Sequence, residues 1–254
     1  MQTTLEILTH PLLAPVRHGF FTRRGGASSG LFSGLNCGRR SSDQTEMVAL
    51  NRGRVAQAMA VSVRNLATVK QVHSADVITL RPGDDVDVIG GIEADAIVTD
   101  RAGIAIAVLT ADCQPVLLAD PQAGVIGAAH AGWRGALDGI LGATVQAMRA
   151  LGAREIRAVI GPTISQSAYE VSEEFMDDFL TEDPEYHRFF AGGPNGRPMF
   201  DLPSFGLHCL RAEGVEAEWT GHCTYGDARR FFSYRRATHQ GQADYGRLIS
   251  AIAL

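Results

Sequence analysis

The stretch from Ile104 to His130 limits the architecture more than any other part of the chain. It holds three short, almost wholly apolar runs, IAIAVLT, VLLAD and GVIGAAH, the last two joined by the turn-like PQAG. Runs this short and this apolar, bounded by turn residues, read as strands buried on both faces. If VLLAD and GVIGAAH fold back on each other about Gln122, residue i stands opposite roughly residue 244 minus i, which sets Cys113 opposite about residue 131, next to His130. Neighbouring strands lie roughly 5 Å apart, so the two side chains can both be ligands of one shared atom when they face the same side. Pro115 can disturb that pairing, and a slip of one residue reverses the facing.

Around this hairpin, strands and helices mix without strict alternation. Asp43 with Glu46 predicts a capping box for a helix through MVALNRGRVAQAMA. ATVKQVHSADVITL reads as strand because β-branched residues recur, and LDGILGATVQAMRALG as a helix followed by the strand AVIGP. SEEFMDDFL and PSFGLHCLRAEG predict helices, and AEWTGHCT and FFSY predict strands. Residues 181–198, dense in Gly and Pro, are the most loop-like insert. The expected class is α+β, a mixed α/β sandwich formed as one domain over residues 1–254.

Composition excludes several functions. A chain of 254 residues with 45% hydrophobic residues has no apolar run near the roughly 18 residues of a membrane span. The opening MQTTLEILTHPLLAPVRH lacks the basic and apolar regions of a signal peptide, so a cytoplasmic location is expected. Four cysteines, Cys37, Cys113, Cys209 and Cys223, without C-x-x-C spacing form neither a disulfide framework nor a structural zinc motif, and are expected reduced. A net charge of −5 argues against a nucleic-acid surface and confines any phosphate site to a local pocket. The expected partners are small molecules, with no nucleic acid and no membrane, in a monomer or small homo-oligomer.

Three residues are candidate metal ligands. Cys113 is either an inert core thiol or a ligand. His130 lies where a strand gives way to AGWRG, a Gly-containing turn and helix start that offers free backbone N–H groups to an anion. His73, in VKQVHSADV, is either a structural strand residue or a third ligand. Together they form a Cys/His/His set that can hold Zn²⁺ and leave one tetrahedral position open. Their separation along the chain is too wide for any spacing rule to decide between these readings.

Several further blocks carry a resemblance. VKQVHSADV, EADAIVTD, TADCQPVLL, HAGWRG, IGPTISQSAYEV and FFSYRR, in that order, with TRRGGASSG and LN near the N-terminus, resemble the YfiH family of laccase-domain or polyphenol oxidase-type proteins. The resemblance spans nearly the whole chain. It implies a mixed α/β sandwich with its site at a loop-rich edge and a metal held by His73, Cys113 and His130. It further implies phosphorolysis of purine nucleosides such as adenosine and inosine to base and ribose 1-phosphate, with adenosine deamination as a related activity. Some bacterial members are instead assigned to editing a peptidoglycan precursor by cleaving an amide.

Zinc on one thiolate and two imidazoles activates water, while phosphorolysis also needs an anion pocket. Arg23, in the family's T-R-x-G-G-x-S block, and Arg235, in FFSYRR, are the candidates for phosphate because guanidinium forks suit its oxygens. Asp112 is either a proton shuttle beside the metal or a carboxylate capping the turn. Asn36 and Gln71 are expected as polar liners, and Tyr234 with Phe231 and Phe232 either stacks on a base or belongs to the core. Arg24 and Arg236 read as solvated neighbours. Where family members carry T-G-R, this chain offers Gly241-Gln242 or Gly246-Arg247, so Arg247 is the candidate for that contact.

Eight histidines without H-x-H spacing do not furnish a multicopper cluster, which needs about ten imidazoles; copper can still load the Cys/His/His set, since it binds such donors more tightly than zinc. Two other readings stay open: a metal-free Cys–His hydrolase with Cys113 as nucleophile and His130 as base, and a non-enzymatic metabolite-binding module with a structural metal.

Overall fold

A computed structural model describes residues 4–254. Its framework is a pair of stacked mixed sheets. The six-stranded sheet runs Glu216–Trp219, Arg157–Ile160, Gln114–Asp120, Val125–Ala131, Ala96–Thr99, Val77–Leu80, and the five-stranded sheet runs Ile7–Leu8, Arg17–Phe21, Leu248–Ala253, Ala105–Thr110, Leu66–Ala67. Helices cover the outer faces, so the expected mixed α/β sandwich is what forms.

The apolar runs owe their character to this stacking. Along Gln114–Asp120, Val116 and Leu118 join a core that includes Ile140, Val145 and Met148 of the Ile140–Ala150 helix. Leu117 and Ala119 point the other way, into a core shared with Ile106, Val108 and Ile252 of the second sheet. Both faces are buried, so alternation of polar and apolar residues disappears. A third apolar layer, with Ala105, Ala107 and Ile249, is closed by Val55 and Ala56 of the Thr45–Ala58 helix.

The hairpin pairs Gln114 with Ala131 through Asp120 with Val125, seven pairs in all. The register is one residue away from the expected one. Pro115, not Gln114, stands opposite His130, so Cys113, two residues before Pro115, shares the parity of His130's face. The turn is fixed by Asp120, whose carboxylate accepts the N–H groups of Gln122, Ala123, Arg154 and Glu155.

Four local expectations are corrected. The Thr45–Ala58 helix is capped at Gln44 without a side-chain bond, because Asp43 gives its oxygens to Gln44 N and Asn36 Nδ2. ATVKQVHSADVITL is not one strand: Leu66–Ala67 and Val77–Leu80 are strands in different sheets, and His73 lies between them with φ of 65°. Phe231 and Phe232 are buried core residues outside any strand, and Ser233 caps the Tyr234–His239 helix. Within residues 181–198, the segment forms 3-10 turns and one strand of a small hairpin, Phe190–Gly192 with Pro198–Phe200. Among the described residues, no helix is long and apolar enough to cross a membrane.

Candidate metal centre and its flanking cavities

Three donors converge at the open end of the hairpin. The ligand atoms of His73, Cys113 and His130 all lie within 4.8 Å of one another, and among the described residues no other such group of His, Cys, Asp and Glu occurs. Cys113 Sγ is 3.8 Å from His73 Nε2, and the two imidazoles meet edge to face at 4.7 Å between centroids. His130 is brought by the end of its strand, Cys113 by the bend that precedes Gln114, and His73 by a left-handed residue in an irregular stretch.

Asp95 organises this corner. Its Oδ1 accepts His130 Nδ1 at 2.7 Å, and its Oδ2 accepts the backbone N–H groups of Val72 and Ser74 and the Ser74 hydroxyl. One wholly buried carboxylate therefore sets the tautomer of His130, leaving Nε2 for an ion, and pins the segment that carries His73. Burial works against the Asp95 charge, but the His130 contact and the backbone donors outweigh it and hold the carboxyl down at about 2.

The thiols separate clearly. Burial pushes Cys37 and Cys209 up to about 12. At Cys113 burial also opposes the thiolate, yet the charges and hydrogen bonds of His130 and His73 bring it down to about 6. A thiolate of that kind is a metal ligand or a nucleophile. Gly132 completes the cradle: a Cβ there would sit 2.8 Å from His73 Cδ2 and 3.0 Å from Cys113 Sγ. One thiolate, two imidazoles, an orienting carboxylate and a glycine that leaves them room fit a single metal ion with an open position.

His73 and Cys113 line two different cavities. One, of about 320 Å³, is walled by Arg39, Arg40, Arg52 and Arg247. The other, of about 560 Å³, is walled by Trp133, Tyr169, Phe175, Tyr234 and Arg235. The donor set stands where a basic chamber meets an aromatic one.

The predicted site residues distribute unevenly over this arrangement. Arg235 lines the aromatic chamber, with Nη1 donating to Glu170 O and the guanidinium over the Tyr169 ring. Tyr234 lines it too and is half exposed. Arg247 lines the basic chamber. Gln71 also lines it, but both ends of its amide are taken by the Leu109 backbone.

Arg23 is a correction: it lines neither chamber, because its guanidinium donates to Ser33 O and Ala228 O and lies over Phe232. Asn36 is another, fully buried, with Oδ1 accepting the N–H groups of Gly38 and Arg247. It positions a wall without being part of it. Asp112 lines the aromatic chamber, and its carboxylate accepts Thr224 Oγ1, Ser233 Oγ and Arg235 N, so both oxygens are engaged. Arg236 is no solvated neighbour but clasps the carbonyls of Thr224, Tyr225 and Phe231.

Asp95, Arg39, Arg40 and Arg52 escaped the sequence reading. An acidic residue inside the apolar EADAIVTD was the available signal for Asp95; the arginines look like ordinary surface charges along the chain.

Residues 17–254 match the family described as multi-copper polyphenol oxidoreductase laccase. A protein of Deinococcus radiodurans named purine nucleoside phosphorylase is 40% identical, the alignment covering 98% of this chain and 93% of that one. Among solved structures, the Bacillus licheniformis hypothetical protein YfiH superposes with a TM-score of 0.90 at 28% identity, covering 100% of this chain and 97% of its own. YlmD from Geobacillus stearothermophilus superposes with a TM-score of 0.87 at 30% identity, covering 99% and 98%.

Proposed function

The chain belongs to the multi-copper polyphenol oxidoreductase laccase family, and from that membership, together with relatives named purine nucleoside phosphorylase, we propose that it is a zinc-dependent phosphorylase of adenosine and inosine. The observation that carries this reading is the position of the donor triad between a basic and an aromatic chamber. Phosphorolysis needs an anion on one side of the ribose carbon and a planar base on the other. A phosphate oxygen bonds to C1′ as the C1′–N9 bond breaks, the electron pair leaves on the purine, and the purine takes up a proton.

Zinc would be held by His73, Cys113 and His130, and when bound would act there as a Lewis acid with an open position. The chain's own groups do the rest of the positioning. Asp95 keeps His130 in one tautomer. Trp133, Tyr169 and Tyr234 line the chamber that would receive the base, and Arg235, anchored by Glu170 O, keeps further N–H groups for the ligand.

The words of the family description point to multicopper oxidation. Eight histidines, and one three-donor cluster among the described residues, suit one metal ion instead. Copper loading with oxidase activity would then report metal supply. The metal-free Cys–His hydrolase draws support from the depressed Cys113 thiol, and chelation separates the two, since only that hydrolase keeps its activity without metal.

The test is product analysis with adenosine and inosine, with and without inorganic phosphate. Ribose 1-phosphate formed only when phosphate is present is the expected result. Free ribose as the sole sugar product means hydrolysis, and cleavage of a UDP-muramoyl amide with neither nucleoside touched replaces the reading with the amidase one.

A further inference from the structure

Arg52 carries a charge that the fold leaves unanswered. It sits on the Thr45–Ala58 helix, only 3% exposed, and lines both the basic chamber and a smaller cavity of about 190 Å³ beside it. Its Nη2 donates to Thr68 Oγ1 at 3.2 Å, while Nε is buried with no acceptor among the described residues. Asp43, on the wall of the smaller cavity, spends its carboxylate on Asn36 Nδ2 and Gln44 N.

A guanidinium taken out of water without a counter-charge is costly to keep. The cost is visible in its acidity, since burial, with the Arg39 charge adding to it, pushes Arg52 down to about 10. Thr110 Oγ1, in the wall of the same chamber, is a second buried polar atom with no partner.

The rim repeats the sign of the floor. Arg39 and Arg40 are exposed. Arg247 is held by construction: Asn36 Oδ1 takes its N–H, Gly38 leaves room for its stem where a Cβ would meet Cδ at 2.8 Å, and its guanidinium lies over the Tyr245 ring. Among the described residues no Asp or Glu lines the chamber; the acidic partner of Arg247 is Asp244 at 3.7 Å. Four cations around a concave space without an acidic residue describe a site that waits for an anion.

We infer that the basic chamber is an oxyanion site for a phosphate group, with Arg52 and Thr110 at its buried floor and Arg39, Arg40 and Arg247 at its rim. The choice of phosphate among oxyanions rests on the phosphorolysis reading; the unpaired buried charge does not. At about 320 Å³ the chamber has room for inorganic phosphate or for the phosphate of a nucleotide. Both present the same dianion to the guanidinium groups.

The experiment is direct binding to the metal-loaded protein, by calorimetric titration and thermal melting, with inorganic phosphate in one arm and inosine 5′-monophosphate in the other. At least one probe binds and raises the Tm. Arg52→Gln then weakens its Kd about ten-fold to a hundred-fold, as expected for a lost charge-assisted contact. The exposed pair Arg39→Gln/Arg40→Gln weakens it several-fold and flattens its salt dependence, and this variant decides the matter should Arg52→Gln not fold. Arg23→Gln binds as wild type.

Binding of inorganic phosphate alone marks a co-substrate site, and binding of the nucleotide alone marks a substrate-borne phosphate. Failure of both probes to bind wild type overturns the inference, as does a Kd unchanged in the Arg52 variant or in the rim variant. Arg52-dependent binding without nucleoside cleavage keeps the site and removes the phosphorylase reading; cleavage with binding indifferent to Arg52 does the reverse.

Discussion

Two supports carry the donor triad, and they are built by different means. Cys113 and His130 stand at the open end of a hairpin whose seven pairs are in register and whose strand residues are all buried. His73 stands on an irregular stretch, exposed and left-handed, and is held by what Asp95 does for Val72 and Ser74. Backbone pairing fixes His130 and the residue next to Cys113, whereas hydrogen bonds to the side chain of Asp95, just before the Ala96–Thr99 strand, fix the stretch that carries His73. The turn end of the ladder, at Asp120 and Val125, is remote from the donors and can be weakened with little effect on them, whereas the donors can be disturbed through one carboxylate.

The largest expected effect is at Asp95, the point where the two supports meet. Asp95→Ala leaves His130 Nδ1 and two backbone N–H groups without their buried acceptor, and stability should fall by roughly 3–5 kcal/mol in urea denaturation. Metal affinity should fall about 10–100-fold in chelator competition. If metal affinity is unchanged, His73 and His130 do not depend on this carboxylate as ligands.

Asp120, at the far end of the ladder, gives the contrasting case. Burial opposes its charge, but the N–H groups of Ala123, Arg154, Glu155 and Gln122 outweigh that and lower its pKa. A lowered folded-state pKa means a stabilisation that is present above the unfolded value of about 3.9 and is lost as pH falls through the folded one. Asp120→Asn should cost roughly 1–3 kcal/mol at neutral pH, with metal affinity intact. The gap from wild type should close in acid; a gap that stays constant down to low pH would remove the carboxylate's charge from the explanation.

The smallest expected change in stability comes from Gly132→Ala. The added Cβ would press on His73 Cδ2 and Cys113 Sγ, and the exposed His73 ring can swing away, so stability should change by less than about 1 kcal/mol. Metal binding should still weaken about ten-fold, because the ring that yields is one of the three proposed ligands. Unchanged metal affinity would show that the triad tolerates the displacement.

The same division explains what was legible in the sequence. The hairpin is written locally: apolar runs of strand length and a short turn between them, so its existence could be read and its register missed by only one residue. The conformation of His73 is not written locally. VKQVHSADV has strand composition, and what breaks the strand is Asp95, more than twenty positions away. The arginines show the same limit. Arg23 and Arg235 sit in similar-looking motif blocks, yet carbonyls of distant loops turn Arg23 away while Arg235 faces the aromatic chamber. Arg52, inside a helix with ordinary surface composition, becomes noticeable only when its burial is known.

Diffraction data recorded on either side of the zinc and copper absorption edges, from protein purified without chelator, would test the metal centre most directly. One anomalous peak is expected, within about 2.0–2.3 Å of His73 Nε2, Cys113 Sγ and His130 Nε2, and it should vanish in Cys113→Ser. No peak at that position in wild type, or a peak of equal height in Cys113→Ser, would contradict a metal ion held by these three residues.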